Sequence, residues 1–316
     1  MVTAVAGQLR SDLWLLDTLY QGESGVIASY LLTGKSGLAL VDVGSGATID
    51  NVLAGIREAG HQPDEVEHLL LTHVHLDHAG ATGALLHHMP RARVYVHRLG
   101  APHLIDPSRL LSSARRIYGE QMNRLWGQTE PVPEERITIL EDGDTIQAGD
   151  RTLRALYTPG HAVHHIAFYD EAGRAAFTGD VAGVRLLGST FVRPPTPPPD
   201  LSLEDWSDSI ARLDALDLET MYLPHFGPAG GVREHLLALR RNLASWGELM
   251  VRGMRAGKDD EALARDLAAA SDPALLASSD FAAADLLDRY ELATNYLMSA
   301  QGYVRYYRKR HPELLA

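Results

Sequence analysis

The 316-residue sequence predicts an α/β fold with an added helical region at its C-terminal end. Three observations lead there. Short apolar runs alternate with amphipathic ones through the first third, strand-like runs return near Arg136, and from Gly231 onward nearly every stretch has helical spacing.

Taken in order, VIASYLLTG and LALVDVG read as strands, ATIDNVLAGIREAG as a helix closed by Gly60, and VEHLLLTH as a buried strand. ATGALLHHM then has helical spacing and ARVYVHR has strand character. Between residues 99 and 128 the pattern changes. RLLSSARRIYGEQMNRLW sets Leu110, Leu111, Ala114, Ile117, Tyr118, Met122, Leu125 and Trp126 close to one helical stripe, as an insertion or a cover would. RITIL, DTIQAG, RTLRALYTPG, HIAFYD and RAAFTGD bring strands back, with DEAG as a hairpin turn between the last two.

VRPPTPPPD, residues 192–200, is too rich in proline for helix or central strand and is expected to run extended over a surface. Ser202, with Asp205 three residues on, opens the helix SLEDWSDSIARLDAL, and TMYLPHFG follows as a strand. The last long stretch spaces Phe281, Leu286, Tyr290, Ala293, Leu297, Tyr303 and Tyr307 as a packed helix does.

Composition narrows the chemistry. With no cysteine, thiolate metal sites, disulfides and a cysteine nucleophile are excluded, so any metal must take nitrogen and oxygen ligands. The 41 acidic against 29 basic residues give a formal charge of −12, which on average repels a polyanion and makes nucleic acid a disfavoured partner. The start of the chain has no basic run before its short apolar stretch, and no segment nears the roughly 18 apolar residues of a membrane span. A soluble, cytoplasmic protein with no membrane partner is expected.

LLLTHVHLDHAG, Leu69 to Gly80, sets three histidines and an aspartate within six residues at the end of a buried strand. Strand alternation places His73, His75 and Asp77 on one side, with His78 following as the chain turns into a helix. Four titratable groups packed together with nothing to bind would repel or be desolvated in either protonation state. A cation removes both difficulties.

This stretch resembles the His-x-His-x-Asp-His signature of the metallo-β-lactamase superfamily. The likeness continues in order through LVDVG, TPGHA, FTGD and YLPHFG, covering roughly residues 25–227. It implies a four-layer αβ/βα sandwich of two mixed sheets covered by helices. The catalytic domain would span 1–230 with its helical insertion near 99–128, and the helical region 231–316 would pack on the same domain. Carried over by position, His73, His75 and His161 would hold one divalent ion, and Asp77, His78 and His225 a second. Asp180 would bridge the two, and Asp42 would support from behind. Zinc is the first choice, with iron or manganese as alternatives.

The resemblance further implies a hydrolase in which a metal-bound hydroxide attacks an ester, thioester or lactone carbonyl, similar to glyoxalase II and acyl-homoserine-lactone lactonases. The loaded centre would keep about one net positive charge, and Asp77 would orient the hydroxide and carry its proton to the leaving group. Val74 between the first two histidines, and the lack of an identifiable glutathione-binding set, depart from glyoxalase II, whereas HVHLDHAG looks closer to the lactonase-like branch.

Two rival readings share the fold. Iron-dependent oxidoreductases of the flavodiiron type carry a glutamate where this chain has His75, together with a flavodoxin domain; persulfide dioxygenases lack those distinctions. A phosphodiesterase or nuclease is opposed by the charge and by the absence of a β-CASP-like segment. The expected partner is a small-molecule substrate.

Of the remaining histidines, alternation sends His164 and His165 to opposite faces, so neither is counted as a ligand, though one could hydrogen-bond to a ligand. His61, His68, His87, His88, His97, His103, His235 and His311 carry no ligand pattern. The insertion and the C-terminal helices are expected to shape the pocket, bury core or form a homodimer contact. The terminal RYYRKRH matches what a helix macrodipole favours at its C-terminal end.

Overall fold

A computed structural model describes residues 5–279 and 282–316. The chain divides into two units, one running up to Tyr157 together with His164–Gly179, the other made of Thr158–Val163 and Asp180–Ala316.

In the first unit, strands β1 (Ala6–Arg10), β2 (Leu13–Asp17), β3 (Ala28–Leu32) and β4 (Leu38–Val41) pair antiparallel in chain order. From β4 the pairing turns parallel, through β5 (Val66–Leu70) and β6 (Arg93–His97) to β7 (Ile137–Leu140). Parallel neighbours need a crossover, and helices supply it. Helix α1 (Ile49–Glu58) joins β4 to β5, the short α2 (Leu76–Ala79) and α3 (Thr82–Leu85) lie between β5 and β6, and α4 (Ala101–Ile105), α5 (Ser108–Tyr118) and α6 (Met122–Trp126) precede β7. Val52, Leu53 and Ile56 of α1 and Leu85 of α3 share one core with Leu16, Leu31, Leu40, Leu69 and Val94 of the sheet.

Strands β8 (Thr145–Ala148), β9 (Arg151–Tyr157), β10 (Ile166–Asp170) and β11 (Ala175–Phe177) pair antiparallel in that order and belong to a second sheet. It faces the first, where Tyr30 on β3 meets Phe177 on β11 edge to face at 5.3 Å. Buried Arg151 ties the same two sheets together, bonding Asp12 at 2.8 and 3.0 Å and also Asp170.

In the second unit, β12 (Thr220–Leu223) and β13 (Gly227–Ala229) pair antiparallel after helix α7 (Leu203–Asp214). The chain then runs through α8 (Val232–Arg255), α9 (Asp260–Ala277), α10 (Ala283–Ala293) and α11 (Tyr296–Arg310). This is the helical C-terminal region that the spacing predicts, but the last long stretch is two helices, parted where Thr294 and Asn295 turn extended, and not one; Phe281 lies outside the described residues. No helix among the described residues is long and apolar enough to cross a membrane.

One element was not expected, and two further expectations change. Periodicity does not predict the β1–β2 hairpin, because its strands expose and bury residues irregularly and carry no clean alternation. The stripe in residues 109–126 is broken at Gly119, whose φ of 54° ends α5; Ala114, Met122, Leu125 and Trp126 are buried but Ile117 is 42% exposed. The proline-rich segment is neither extended throughout nor a surface strap: residues 198–200 form a turn, Val192 to Thr196 is buried, and Arg193 is fully so.

Candidate metal centre

The first group of candidate ligands grows from the end of β5. Leu71, Thr72 and His73 continue from the strand fully buried, and the chain then turns at His75 into α2. Asp77 and His78 therefore sit in a helical turn, and alternation does not apply to Asp77. The reason is local: the His75 carbonyl already accepts from His78 N at 3.1 Å and Ala79 N at 2.9 Å, so helix begins one residue before Asp77. The His73 ring lies 4.6 Å from that of His75 and 4.0 Å from that of His78.

Asp42, just after β4, adopts a φ of 52°, an uncommon conformation for a non-glycine residue. Its carboxylate accepts from Thr72 N at 2.8 Å and from Thr72 Oγ1 at 2.9 Å. It also accepts from His78 Nδ1 at 3.0 Å. A carboxylate only accepts, so Nδ1 of His78 carries the proton and Nε2 keeps its lone pair. Thr72 gives its hydroxyl proton to Asp42 and accepts from His73 Nδ1 at 3.0 Å, so Nε2 of His73 keeps its lone pair too. One carboxylate thus sets the tautomer of two imidazoles.

His164 and His165 are both buried beside His73, with ring distances of 6.2 and 5.1 Å. They do not point to opposite faces, because β10 begins only at Ile166 and the pair lies in the turn before it. His164 Nδ1 accepts from Val74 N at 3.4 Å. Burial, and then the nearby His75, hold it well below the usual imidazole range, so it stays neutral. The insertion reaches this end of the unit. Val74, Leu76 and Ala79 of the motif line a small cavity with Leu104, Pro107 and Leu110. Tyr20 and Tyr118 pack on Trp126 with ring distances of 5.5 and 5.2 Å. Burial and the charge of Asp77 push both phenols up, so both remain protonated donors.

The second group comes from three distant stretches of the second unit. His161 follows TPG, Asp180 lies in the turn Gly179–Ala182, and His225 follows β12. His161 Nδ1 donates to the Pro195 carbonyl at 2.7 Å, again leaving Nε2 as the lone-pair nitrogen. That Nε2 stands 3.4 Å from Asp180 Oδ2, and His225 Nε2 stands 3.5 Å from Asp180 Oδ1. Two donors each about 2.1 Å from a tetrahedral ion lie roughly 3.4 Å apart, so this spacing suits a shared cation better than a direct hydrogen bond. His78 Nε2 and Asp77 Oδ2 in the first group are also 3.4 Å apart.

The supports here are nonlocal. Gly160, at φ 134°, lets its loop lie on α7, where an added Cβ would fall 2.4 Å from Trp206. Trp206 donates Nε1 to Val181 O at 2.8 Å and meets the His161 ring edge on at 5.7 Å. His235 Nε2 donates to Ala182 O at 2.7 Å, two residues past Asp180. Sequence reading did not find Thr72, Pro195 or Trp206, because a hydroxyl, a carbonyl and an indole carry no ligand pattern of their own.

Residues 23–225 match the metallo-beta-lactamase superfamily. The chain belongs to that superfamily. Its fold is the superfamily's two mixed sheets with helices: a metallo-beta-lactamase family protein of Thermus thermophilus superposes with a TM-score of 0.71 at 24% identity, over 96% of this chain and 95% of that one. A metallo-beta-lactamase fold-containing protein of Sulfurisphaera tokodaii is 26% identical over 201 residues, 63% of this chain and 72% of that protein. The thioesterase pkgB of Emericella nidulans is 34% identical over 152 residues, 48% of this chain, which spans only 34% of that longer relative. Superfamily membership implies divalent metal ions, and the histidines and aspartates gathered here fit metal ligation.

Proposed function

We propose that the chain is a binuclear metallo-hydrolase acting on an ester or thioester carbonyl. In this reading His73, His75 and His161 hold one ion, Asp77, His78 and His225 hold the other, and Asp180 bridges, with zinc as the first choice of metal. The observation that carries it is the set of tautomers: His73, His78 and His161 each commit Nδ1–H to a protein oxygen, which turns Nε2 into a ligand. When bound, the ions supply a hydroxide nucleophile at neutral pH and polarise the carbonyl under attack.

The chain's own residues do the rest. Asp77, half-buried, orients the nucleophile and passes the nucleophile's proton to the leaving group. Tyr20 and Tyr118, protonated and near the charge of Asp77, offer hydroxyl donors to the polar end of the substrate. Similarity to a thioesterase supports a thioester as the first substrate class to try.

The test is metal analysis of the purified protein followed by a panel of acyl thioesters, carboxylic esters, lactones, phosphodiesters and persulfides. Thioesters or esters are expected to turn over, and His75→Ala to lose both metal and turnover. Preferential cleavage of phosphodiesters, oxygen uptake on a persulfide, or full activity in His75→Ala would overturn the reading.

A further inference from the structure

Proline-rich residues 192–196 sit beside a metal ligand without belonging to a sheet, since Arg193 makes only an isolated bridge with Val184, at 2.8 and 2.9 Å. A prolyl stretch has few backbone donors with which to fix itself. Yet its Pro195 carbonyl accepts from His161 Nδ1 at 2.7 Å, and so decides which nitrogen of that ring can ligate.

What holds the segment is the C-terminal helical region. The Arg193 guanidinium is fully buried and donates to Glu291 at 2.8 Å and to the Thr294 carbonyl at 3.0 Å, at the end of α10. Its central carbon lies 3.9 Å from the Tyr296 ring centre and 5.1 Å from that of Tyr290, with Asp272 of α9 at 3.8 Å from the guanidinium. Around it, Asn242 of α8 donates to Val192 O at 2.7 Å and Thr196 donates to Ser299 O at 3.3 Å. Helix α11 comes so close that a Cβ on Gly302 would fall 1.8 Å from Thr196 O. Burying an arginine is a costly way to fasten a loop when an apolar side chain could fill the space, and the planar fork adds direction that an apolar contact lacks.

We propose that Arg193 is a positioning residue for the metal centre: through it, helices α9 to α11 fix the Pro195 carbonyl, and that carbonyl fixes the tautomer and aim of His161. The C-terminal helices then act on metal affinity, beyond adding core. This rests on the assignment of His161 as a ligand under the proposed function.

The experiment compares wild type, Arg193→Met and Arg193→Lys by chelator competition for zinc, by the visible spectrum of the cobalt-loaded protein, and by the melting temperature of the metal-free form. Tyr303→Phe serves as control, since it removes the bond to Leu243 O at 2.8 Å between α11 and α8 without touching residues 192–196. Arg193→Met is expected to weaken zinc binding about tenfold to a hundredfold and to alter the cobalt spectrum, with Arg193→Lys in between and Tyr303→Phe at wild-type affinity. Wild-type affinity and spectrum in a folded Arg193→Met overturn the inference, as does an equal loss in Tyr303→Phe. Should Arg193→Met not fold, Asn242→Ala decides: a drop of about threefold or more in affinity supports the inference and no drop overturns it. A wild type that binds no metal overturns the reading of the site itself, and this inference with it.

Discussion

The two groups of candidate ligands are built by opposite means. His73, His75, Asp77 and His78 come from one strand end and one helical turn, and Asp42 orients two of them with a single carboxylate. His161, Asp180 and His225 come from three separate stretches held from a distance: His161 by the Pro195 carbonyl, the turn of Asp180 by the Trp206 indole and the His235 ring, and the His225 backbone by Arg185 N. The first group is set by local geometry, so a short peptide pattern can encode it. The second depends on tertiary packing, so its geometry should respond to changes far from any ligand.

The largest expected effect comes from removing a ligand on either side. His75→Ala and Asp180→Ala should each cut hydrolysis about a thousandfold or more, since each takes away several kcal/mol of charge stabilisation, and metal content measured by mass spectrometry should fall with it. A full complement of metal in Asp180→Ala would remove the second group from the centre and end the comparison.

Next comes the shared support. Asp42→Asn keeps the shape but can no longer accept from both Thr72 and His78 as a carboxylate does, and metal affinity should drop about tenfold to a hundredfold. Thr72→Val should cost less, because of the two imidazoles only His73 loses its partner, while Asp42 keeps Thr72 N and His78. Equal losses, read by chelator competition, would mean that Asp42 acts through Thr72 alone.

The same contrast explains what was legible in the sequence. Strands with clear apolar runs, the Gly60 stop, the Ser202 cap and the C-terminal helices follow from periodicity and capping, which are local. The ligand motif is local as well, and superfamily resemblance supplied its distant members. What escaped left no periodic signal in the sequence. The β1–β2 hairpin buries residues irregularly; residues 192–196 are covered by helices more than 45 residues downstream, for which prolines give no signal; His164 and His165 lie in a turn where strand alternation has no force. Gly119 could have been read as a break, since a glycine inside a helical stripe is a warning, but the apolar spacing on both sides masked it.

A third expectation concerns acid. His235 is buried, and burial first, then the charge of Arg185, lowers its pKa to about 4 from an ordinary 6.5. The unfolded chain takes up this proton as pH falls below about 6.5, whereas the folded chain resists until about 4. Stability tied to this group is therefore present above that window and lost on descending through it, by about 3 kcal/mol at most. His235→Gln should flatten that part of the pH dependence in denaturant unfolding between about pH 7 and about pH 4. An unchanged slope would show that the burial of this ring is not the source of that pH dependence.

The smallest effect separates general stability from specific anchoring. The Ser202 hydroxyl accepts from Asp205 N at 3.4 Å at the start of α7 and from Arg310 Nη1 at 2.8 Å near the end of α11. Ser202→Ala should cost about 1 kcal/mol, as lost caps do, and lower the melting temperature by about 2–4 °C. It should leave metal affinity unchanged, because Trp206 on the same helix keeps its bond to Val181 and its seat on Gly160. If affinity instead falls in step with melting temperature, the second ligand group is tuned by the stability of its whole unit, and no single anchor in it has a separate role.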